Sequence, residues 1–321
     1  MRELIIRKND AGQRLDKFLT KAVPSMPQSL LYKSIRLKKI KVNRKRTEAS
    51  YILCEGDSIL LFLSEDLFPD ETGNVNPYAR VRPNLSIVYE DEQILLLNKK
   101  PGVLVHADEE GNENTLIFHV QAYLYQKGEY DPSKEQSFAP ALCNRIDRNT
   151  GGIVIAAKTA EALRDMNELI RQNDVSKYYI CAVHGLMPKK EDTLKGFLKK
   201  DEKNNLVSVS DREFPGSKPI ETRYQVLSQK NGDSLLKIEL VTGRTHQIRA
   251  HMAHIGHPLL GDGKYGVNRD DREQGYKYQA LYAFRMFFHT SYRAGNTCLD
   301  HLRGRTFEIP REEIWFEKDF R

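Results

Sequence analysis

A single carboxylate between two guanidinium groups opens the chemistry of this chain. In the stretch Cys143-Asn144-Arg145-Ile146-Asp147-Arg148-Asn149-Thr150-Gly151-Gly152, Asp147 has an arginine on either side. The stretch runs into the apolar segment Ile153–Ala157, of strand length. Flanking cations favour an ionised carboxylate even where water is excluded. The paired glycines allow close backbone approach or positive φ. A charged loop on the end of a buried strand is a usual place for catalytic or binding groups. The same residues would also suit a surface turn with ordinary ion pairs, and this stretch alone leaves both readings open.

The second constellation is Thr242-Gly243-Arg244-Thr245-His246-Gln247-Ile248-Arg249-Ala250-His251-Met252. Thr245 is placed as the N-cap of a helix whose inward face carries Ile248, Met252 and Ile255. Arg244, Thr245 and Gln247 would then gather donors at a helix N-terminus, where an anion is welcome. Arg249, one turn in, is within reach of a buried carboxylate. A capped core helix with exposed polar residues accounts for the same spacing. His246, His251, His254 and His257 raise the question of a metal, but the Glu of a His-Glu-x-x-His helix is missing and no Cys is near, so no metal is expected. Gly261-Asp262-Gly263-Lys264-Tyr265-Gly266 spells a dinucleotide fingerprint without the strand before it or the apolar helix after it, and is read as a decoy. A Walker loop and a nucleophile elbow are both missing.

These segments need elements to hold them. The chain has 321 residues, a net charge of +6 and four cysteines without zinc spacing, which suits two domains with reduced thiols. The apolar runs are too short to span a membrane, and no signal-peptide core begins the chain. A cytoplasmic monomer is expected. Gln13–Ala22 and Gln28–Lys38 read as short helices, and Ile40–Asn43 and Ser58–Leu63 as strands. Between residues 33 and 46 lie Lys33, Arg36, Lys38, Lys39, Lys41, Arg44, Lys45 and Arg46 with no acid among them. So compact a run of one sign favours a phosphate-binding patch over a merely solvated face. Pro- and Gly-rich residues 67–83 read as a linker. This gives a domain at 1–66 and a second at 84–321. The second holds strands at Ile87–Glu90, Ile94–Asn98, Ile153–Ala157, Tyr178–Val183, Thr222–Leu227, Leu235–Val241 and Leu281–Phe288. Helices are expected at Thr115–Tyr125 and from Thr159. Strands dominate, so the class is α+β rather than doubly wound.

Taken together, the motifs resemble the RluA family of pseudouridine synthases, preceded by an S4-like RNA-binding domain. The Asp147 loop matches His-Arg-Leu-Asp-x-x-Thr-Ser-Gly, and 243–251 match Gly-Arg-x-His-Gln-Ile-Arg-x-His. Gly-His-Pro-Leu-Leu-Gly-Asp and Tyr-Gly follow at 256–266, and Lys177-Tyr178-Tyr179 precedes the expected strand. Gln13-Arg14-Leu15-Asp16-Lys17-Phe18-Leu19 resembles the S4 module. The chain departs from the family at Asn144 (commonly His), Ile146 (Leu) and Gly151 (Ser).

The resemblance implies a mixed, largely antiparallel central sheet with flanking helices, after a small S4-like α/β domain. It implies isomerisation of uridine to pseudouridine: the N1–C1′ bond breaks, the base turns, and C5 rejoins the sugar, with neither cofactor nor metal. Asp147 would attack the sugar or remove a sugar proton. Tyr178 would pack on the target base and help remove the C5 proton. Arg249 would pair with Asp147, and Arg145 would fill the space of the flipped uridine. Arg148, Thr150, Arg244, Thr245, His246 and Gln247 would contact RNA at the site. Lys33, Arg36, Lys39, Arg44 and Arg46 would bind phosphates without reading sequence. Domain order points by analogy to large-subunit ribosomal RNA, with transfer RNA the alternative substrate. The rival readings are a non-catalytic RNA-binding or ribosome-assembly factor on this fold, and a nucleotide-sugar hydrolase, which would need a second carboxylate as acid.

Overall fold

The computed structural model describes residues 1–68, 76–106 and 114–321. The centre of the expected linker, 69–75, and the expected loop at Gly111–Glu113 lie outside the described residues. Two compact units emerge. The first contains Met1–Pro83, Val120–Ala141 and Lys158–Glu161; the second contains Asn84–His119, Leu142–Ala157 and Ala162–Arg321. Residues 120–141 and 158–161, expected in the second domain, thus group with the first. Pro- and Gly-rich composition marks where a chain bends, not which later segments return.

In the first unit, β1 (Arg2–Ile5), β2 (Ile40–Val42), β3 (Lys45–Arg46) and β4 (Ser58–Leu61) form an antiparallel sheet in the order β1-β4-β2-β3. Helix α1 (Leu15–Ala22) buries Leu15, Phe18 and Leu19, spaced i, i+3 and i+4 on one face. Helix α2 (Gln28–Arg36) contributes Leu31 and Ile35 to the same core, with Ile40, Val42, Ile59 and Leu61 from the sheet. Asn43 and Arg44 link β2 to β3 with φ of 51° and 63°, as a two-residue hairpin turn with both residues left-handed requires. The Asn43 amide donates to Asp57 at 2.7 Å, and its oxygen accepts from the Ser58 N–H at 2.9 Å. The basic hairpin is therefore tied to the sheet. Lys33, Arg36, Lys39, Arg44 and Arg46 all have exposed side chains.

The second unit is built on β5 (Ile87–Glu90), β6 (Ile94–Lys99), β7 (Ala141–Leu142, its first residue grouping with the first unit), β8 (Gly151–Ala157), β9 (Val175–His184), β10 (Glu191–Asp201), β11 (Leu206–Ser210), β12 (Lys218–Lys230), β13 (Asp233–Leu240), β14 (Leu281–Phe288) and β15 (Thr306–Glu308). The main path runs β11-β10-β12-β13-β9-β14-β8-β6-β5. Its neighbours are antiparallel except β14 and β8, which run parallel. The sheet is mixed and largely antiparallel, as expected of the α+β class. Helix α3 spans Leu116–Gln126, and α4 (Ala160–Arg171) turns Ala162, Met166 and Leu169 into the main core with Ile153, Ile155, Ile180 and Phe288. The β10–β11 hairpin escaped the sequence reading. Its residues are mostly polar and charged, so periodicity gave no apolar stripe to find. Helices α5 (Gln247–His254) and α6 (Arg269–Glu273) complete the numbering. No helix among the described residues is long and apolar enough to cross a membrane.

Gly151 shows why the chain departs from the commoner Ser. A Cβ there would lie 2.3 Å from Cε2 of the Tyr282 ring, on the parallel partner strand, where Tyr282 pairs with Gly151. Gly152 has φ 119° and no room for a Cβ, which would lie 2.2 Å from the Ala283 carbonyl oxygen. Tyr282 is fixed in turn, donating its hydroxyl to Asn98 at 2.7 Å. Overpacking a filled core costs about 1–3 kcal/mol. Gly151→Ser is accordingly expected to lower unfolding stability by about that amount, read as a lower denaturant midpoint at unchanged slope.

Candidate active site

Asp147 stands where the loop enters β8, its side chain about one quarter exposed (26%). Its Oδ2 accepts from Nη1 of Arg249 at 2.7 Å. Arg249 comes from α5, and only 8% of its side chain is exposed. Its other edge is fully used: Nε and Nη2 donate to the two oxygens of Asp262 at 2.7 and 2.8 Å. Asp262 is 1% exposed and also accepts from the backbone N–H of Lys264 at 2.9 Å and of Tyr265 at 3.3 Å. One guanidinium thus joins a buried carboxylate to a solvent-facing one. Burial alone would raise the Asp262 pKa, but Arg249 and the two amides outweigh it and hold the carboxyl below its usual range. Burial works against the charge of Arg249, and the two aspartates more than restore it.

The glycine stretch read as a decoy is the cradle of Asp262. Gly261 has φ 73°, and a Cβ there would lie 2.2 Å from the Tyr278 carbonyl oxygen. The turn needs glycine so that Asp262 can face inward. Its role here is to hold a carboxylate.

These groups line one cavity of about 1230 Å³ with Arg145, Arg148, Thr150, Lys177, Tyr179, Arg244, Thr245 and His246. Arg145, Arg148 and Arg244 are exposed at its rim. His246 lies deeper: Nδ1 is 2.8 Å from the Tyr265 hydroxyl and Nε2 3.8 Å from Asp147 Oδ2. Burial lowers its pKa, with Arg249 and Lys264 adding to that and Asp147 and Asp262 opposing it.

Four expectations need correction, one of them Thr150, which was expected to meet RNA and is 2% exposed. Tyr178, expected beside the target base, lines a different concavity with Glu191, Arg223 and Lys237, and the Lys237 ammonium sits 5.2 Å from its ring centroid. Strand side chains alternate between faces, so Tyr179, in step with Lys177, is the tyrosine of the Asp147 cavity. Thr245 is not the cap of α5. His246 precedes the first helical residue in the left-handed region, and no side chain closes the helix end. Gln247, expected to meet RNA, is 2% exposed. Its amide donates to the Glu221 carbonyl and the Thr222 hydroxyl, and its oxygen accepts from Thr242 and the Arg244 N–H. It docks α5 on β12.

The remaining motif residues serve as braces. Thr150 is buried, its hydroxyl accepting from Gln279 at 3.2 Å. The Asn144 oxygen accepts from the Ile155 N–H at 2.8 Å, tying the loop to the strand it enters. His251 packs against Thr222, His254 reaches Asp211, and His257 reaches the His184 carbonyl; the four histidines do not converge.

Lys99 was not anticipated. It ends β6, is 2% exposed, and its ammonium donates to the carbonyls of Lys100, Val103 and Arg148 at 3.2, 3.0 and 2.8 Å. It pins the Asp147 loop to the turn at Pro101-Gly102. Nothing in a Lys-Lys pair after an apolar strand distinguishes such a lysine from a solvated one.

The amino-acid comparisons bear on this geometry. The family model described as RNA pseudouridylate synthase matches residues 93–254, which include Lys99, Asp147, Tyr179, His246 and Arg249. The chain belongs to the RNA pseudouridylate synthase family. A ribosomal large subunit pseudouridine synthase C of Vibrio parahaemolyticus is 33% identical over 97% of this chain and 90% of its own length. An uncharacterized RNA pseudouridine synthase of Mycoplasma genitalium is 32% identical over 89% of this chain and 88% of its own. Among solved structures, human RNA pseudouridylate synthase domain containing 1 covers 71% of this chain and 84% of its own at a TM-score of 0.55 and 22% identity. Its likeness extends to the fold. This RNA pseudouridylate synthase is an isomerase, and its substrate is RNA.

Burial brings the Lys99 pKa down from 10.5 to about 7, against the opposing pull of Asp147. Between those values the unfolded chain binds a proton that the folded chain does not, so this group makes stability rise with pH from about 7 to 10.5. Lys99→Met should abolish that rise in pH-resolved denaturation. It should also leave the three buried carbonyls unpaired, so its loss of stability relative to wild type is largest at the alkaline end of that range.

Proposed function

We propose that this enzyme converts uridines of large-subunit ribosomal RNA to pseudouridine, with Asp147 acting on the ribose of a flipped nucleotide. The observation that carries the assignment is the split guanidinium. Arg249 occupies Oδ2 of Asp147, and no described residue is hydrogen-bonded to Oδ1. That oxygen is available either to attack C1′ or to remove a sugar proton. The ring of Tyr179 would stack on the displaced base. The rim arginines Arg145, Arg148 and Arg244 would take the place of the extruded nucleotide and bind flanking phosphates.

The large-subunit preference rests on relatives that bear that name and align along nearly the whole chain. In the first unit, the exposed cations of α2 and the β2–β3 hairpin support an S4-like role: affinity through phosphates, without sequence reading. We read the enzyme as a cytoplasmic monomer. The hydrolase alternative is disfavoured by Asp262. It is the carboxylate on the far side of Arg249, and it is held ionised by a two-point pair, so it is no proton donor.

Mapping of pseudouridines in ribosomal and transfer RNA, with and without the gene, tests the reading. Large-subunit sites should disappear and return with the wild-type chain but not with Asp147→Asn. Losses confined to transfer RNA would reassign the substrate, and full restoration by the Asn variant would remove Asp147 from the chemistry. In purified enzyme, Tyr179→Ala should cut turnover by at least about 10²-fold, the typical weight of a positioned catalytic group. Tyr178→Ala should leave turnover close to wild type.

A further inference from the structure

We propose that His246 is the base that removes the C5 proton and returns it to N1, completing the isomerisation. This rests on the pseudouridine reading above and names a residue for its last step.

Three geometric facts support it. Nε2 of His246 lies in the Asp147 cavity, 3.8 Å from the carboxylate. Nδ1 is anchored 2.8 Å from the Tyr265 hydroxyl, which itself accepts from the Val207 N–H at 3.1 Å. The residue also holds φ 52°, a left-handed conformation uncommon outside glycine. Such outliers collect at functional sites when surrounding structure enforces them. Here the enforcement places the imidazole at the mouth of α5 instead of leaving it on the helix surface.

With the Nδ1 proton donated to Tyr265, Nε2 carries a free lone pair toward the cavity. Once C5 has bonded to C1′, that carbon is tetrahedral and still bears its hydrogen, while C6 and N1 share a double bond. Nε2 takes the hydrogen as a proton. The C5–H pair forms the C5–C6 double bond, and the C6–N1 pair retreats to N1. N1 then recovers the proton from Nε2. One proton has moved from C5 to N1, the imidazole is neutral again, and nothing is oxidised or reduced.

The charged groups facing the ring suit this cycle. Asp147 from the loop before β8 stabilises the passing imidazolium. Burial, joined by Arg249 from α5 and Lys264 from the turn after it, disfavours the charged ring, with Asp262 and Tyr265 behind them. Tyr179 is the less available base. Its burial, with Asp147 nearby, pushes the phenol well above its ordinary value, so phenolate is scarce where neutral imidazole is not.

The experiment uses the full chain and an RNA carrying deuterium at C5 of the target uridine. Wild type must first yield pseudouridine; if it does not, the functional reading itself fails. His246→Asn suits the test because asparagine also tolerates left-handed backbone. It should bind RNA as wild type does and turn over about 10²-fold more slowly, the usual share of general acid–base catalysis. A primary isotope effect from C5 deuterium should then appear, because proton removal becomes limiting. In His246→Gly, added imidazole should restore part of the rate. Unchanged turnover in the Asn variant would overturn the proposal. So would slow turnover with neither an isotope effect nor imidazole rescue, which would assign His246 a purely structural role.

Discussion

The site depends on one guanidinium shared unequally between two carboxylates. Arg249 gives two donors to Asp262 and one to Asp147. A planar fork held at one edge cannot rotate, so its remaining donor points in a fixed direction. Asp262 serves as an anchor: buried, doubly bonded, and capped by backbone amides. Asp147 is monodentate and partly open. Had both partners been buried alike, the site would be an inert ion triad; had both been exposed, Arg249 would wander. The asymmetry in burial makes one aspartate an anchor and leaves the other open to the cavity.

The elements around this triad exist to support that asymmetry. Gln247 fastens α5 to β12, so the helix carrying Arg249 has a fixed seat. Gly261 permits the turn that folds Asp262 inward. Lys99 and Asn144 tie the Asp147 loop at two points, one to the Pro101-Gly102 turn and one to β8. None of these residues needs to touch substrate. Each limits how far the carboxylate of Asp147 can move within the cavity.

Much of the site was legible in the sequence, for identifiable reasons. Asp147 and Arg249 sit in dense motifs where residue type and spacing carry the signal. The α+β class followed from short apolar runs with few long helical stripes between them. What escaped was information about direction. Tyr178 and Tyr179 are adjacent letters on opposite faces of β9, and choosing between them needed the parity of Lys177. Asp262 closed a run that matched the family pattern but carried no signal of its role as a buried partner of Arg249, and Thr245 looked like a helix cap because its chemistry suits one. The segments 120–141 and 158–161 were assigned by position along the chain, whereas membership in a unit is decided by contact.

The parallel run of β8 beside β14 has a consequence for how the cavity is shaped. Two parallel neighbours begin at the same end of a sheet. The loop that delivers Asp147 and the loop at Lys277–Gln279 that leads into β14 therefore open onto one cavity, although far apart in sequence. They meet through Gln279 and Thr150. One loop is tied down by Lys99 and Asn144; the other borders the same space with its Tyr278 backbone packed against Gly261. Such an arrangement lets two segments more than a hundred residues apart in sequence shape one cavity, each from its own strand.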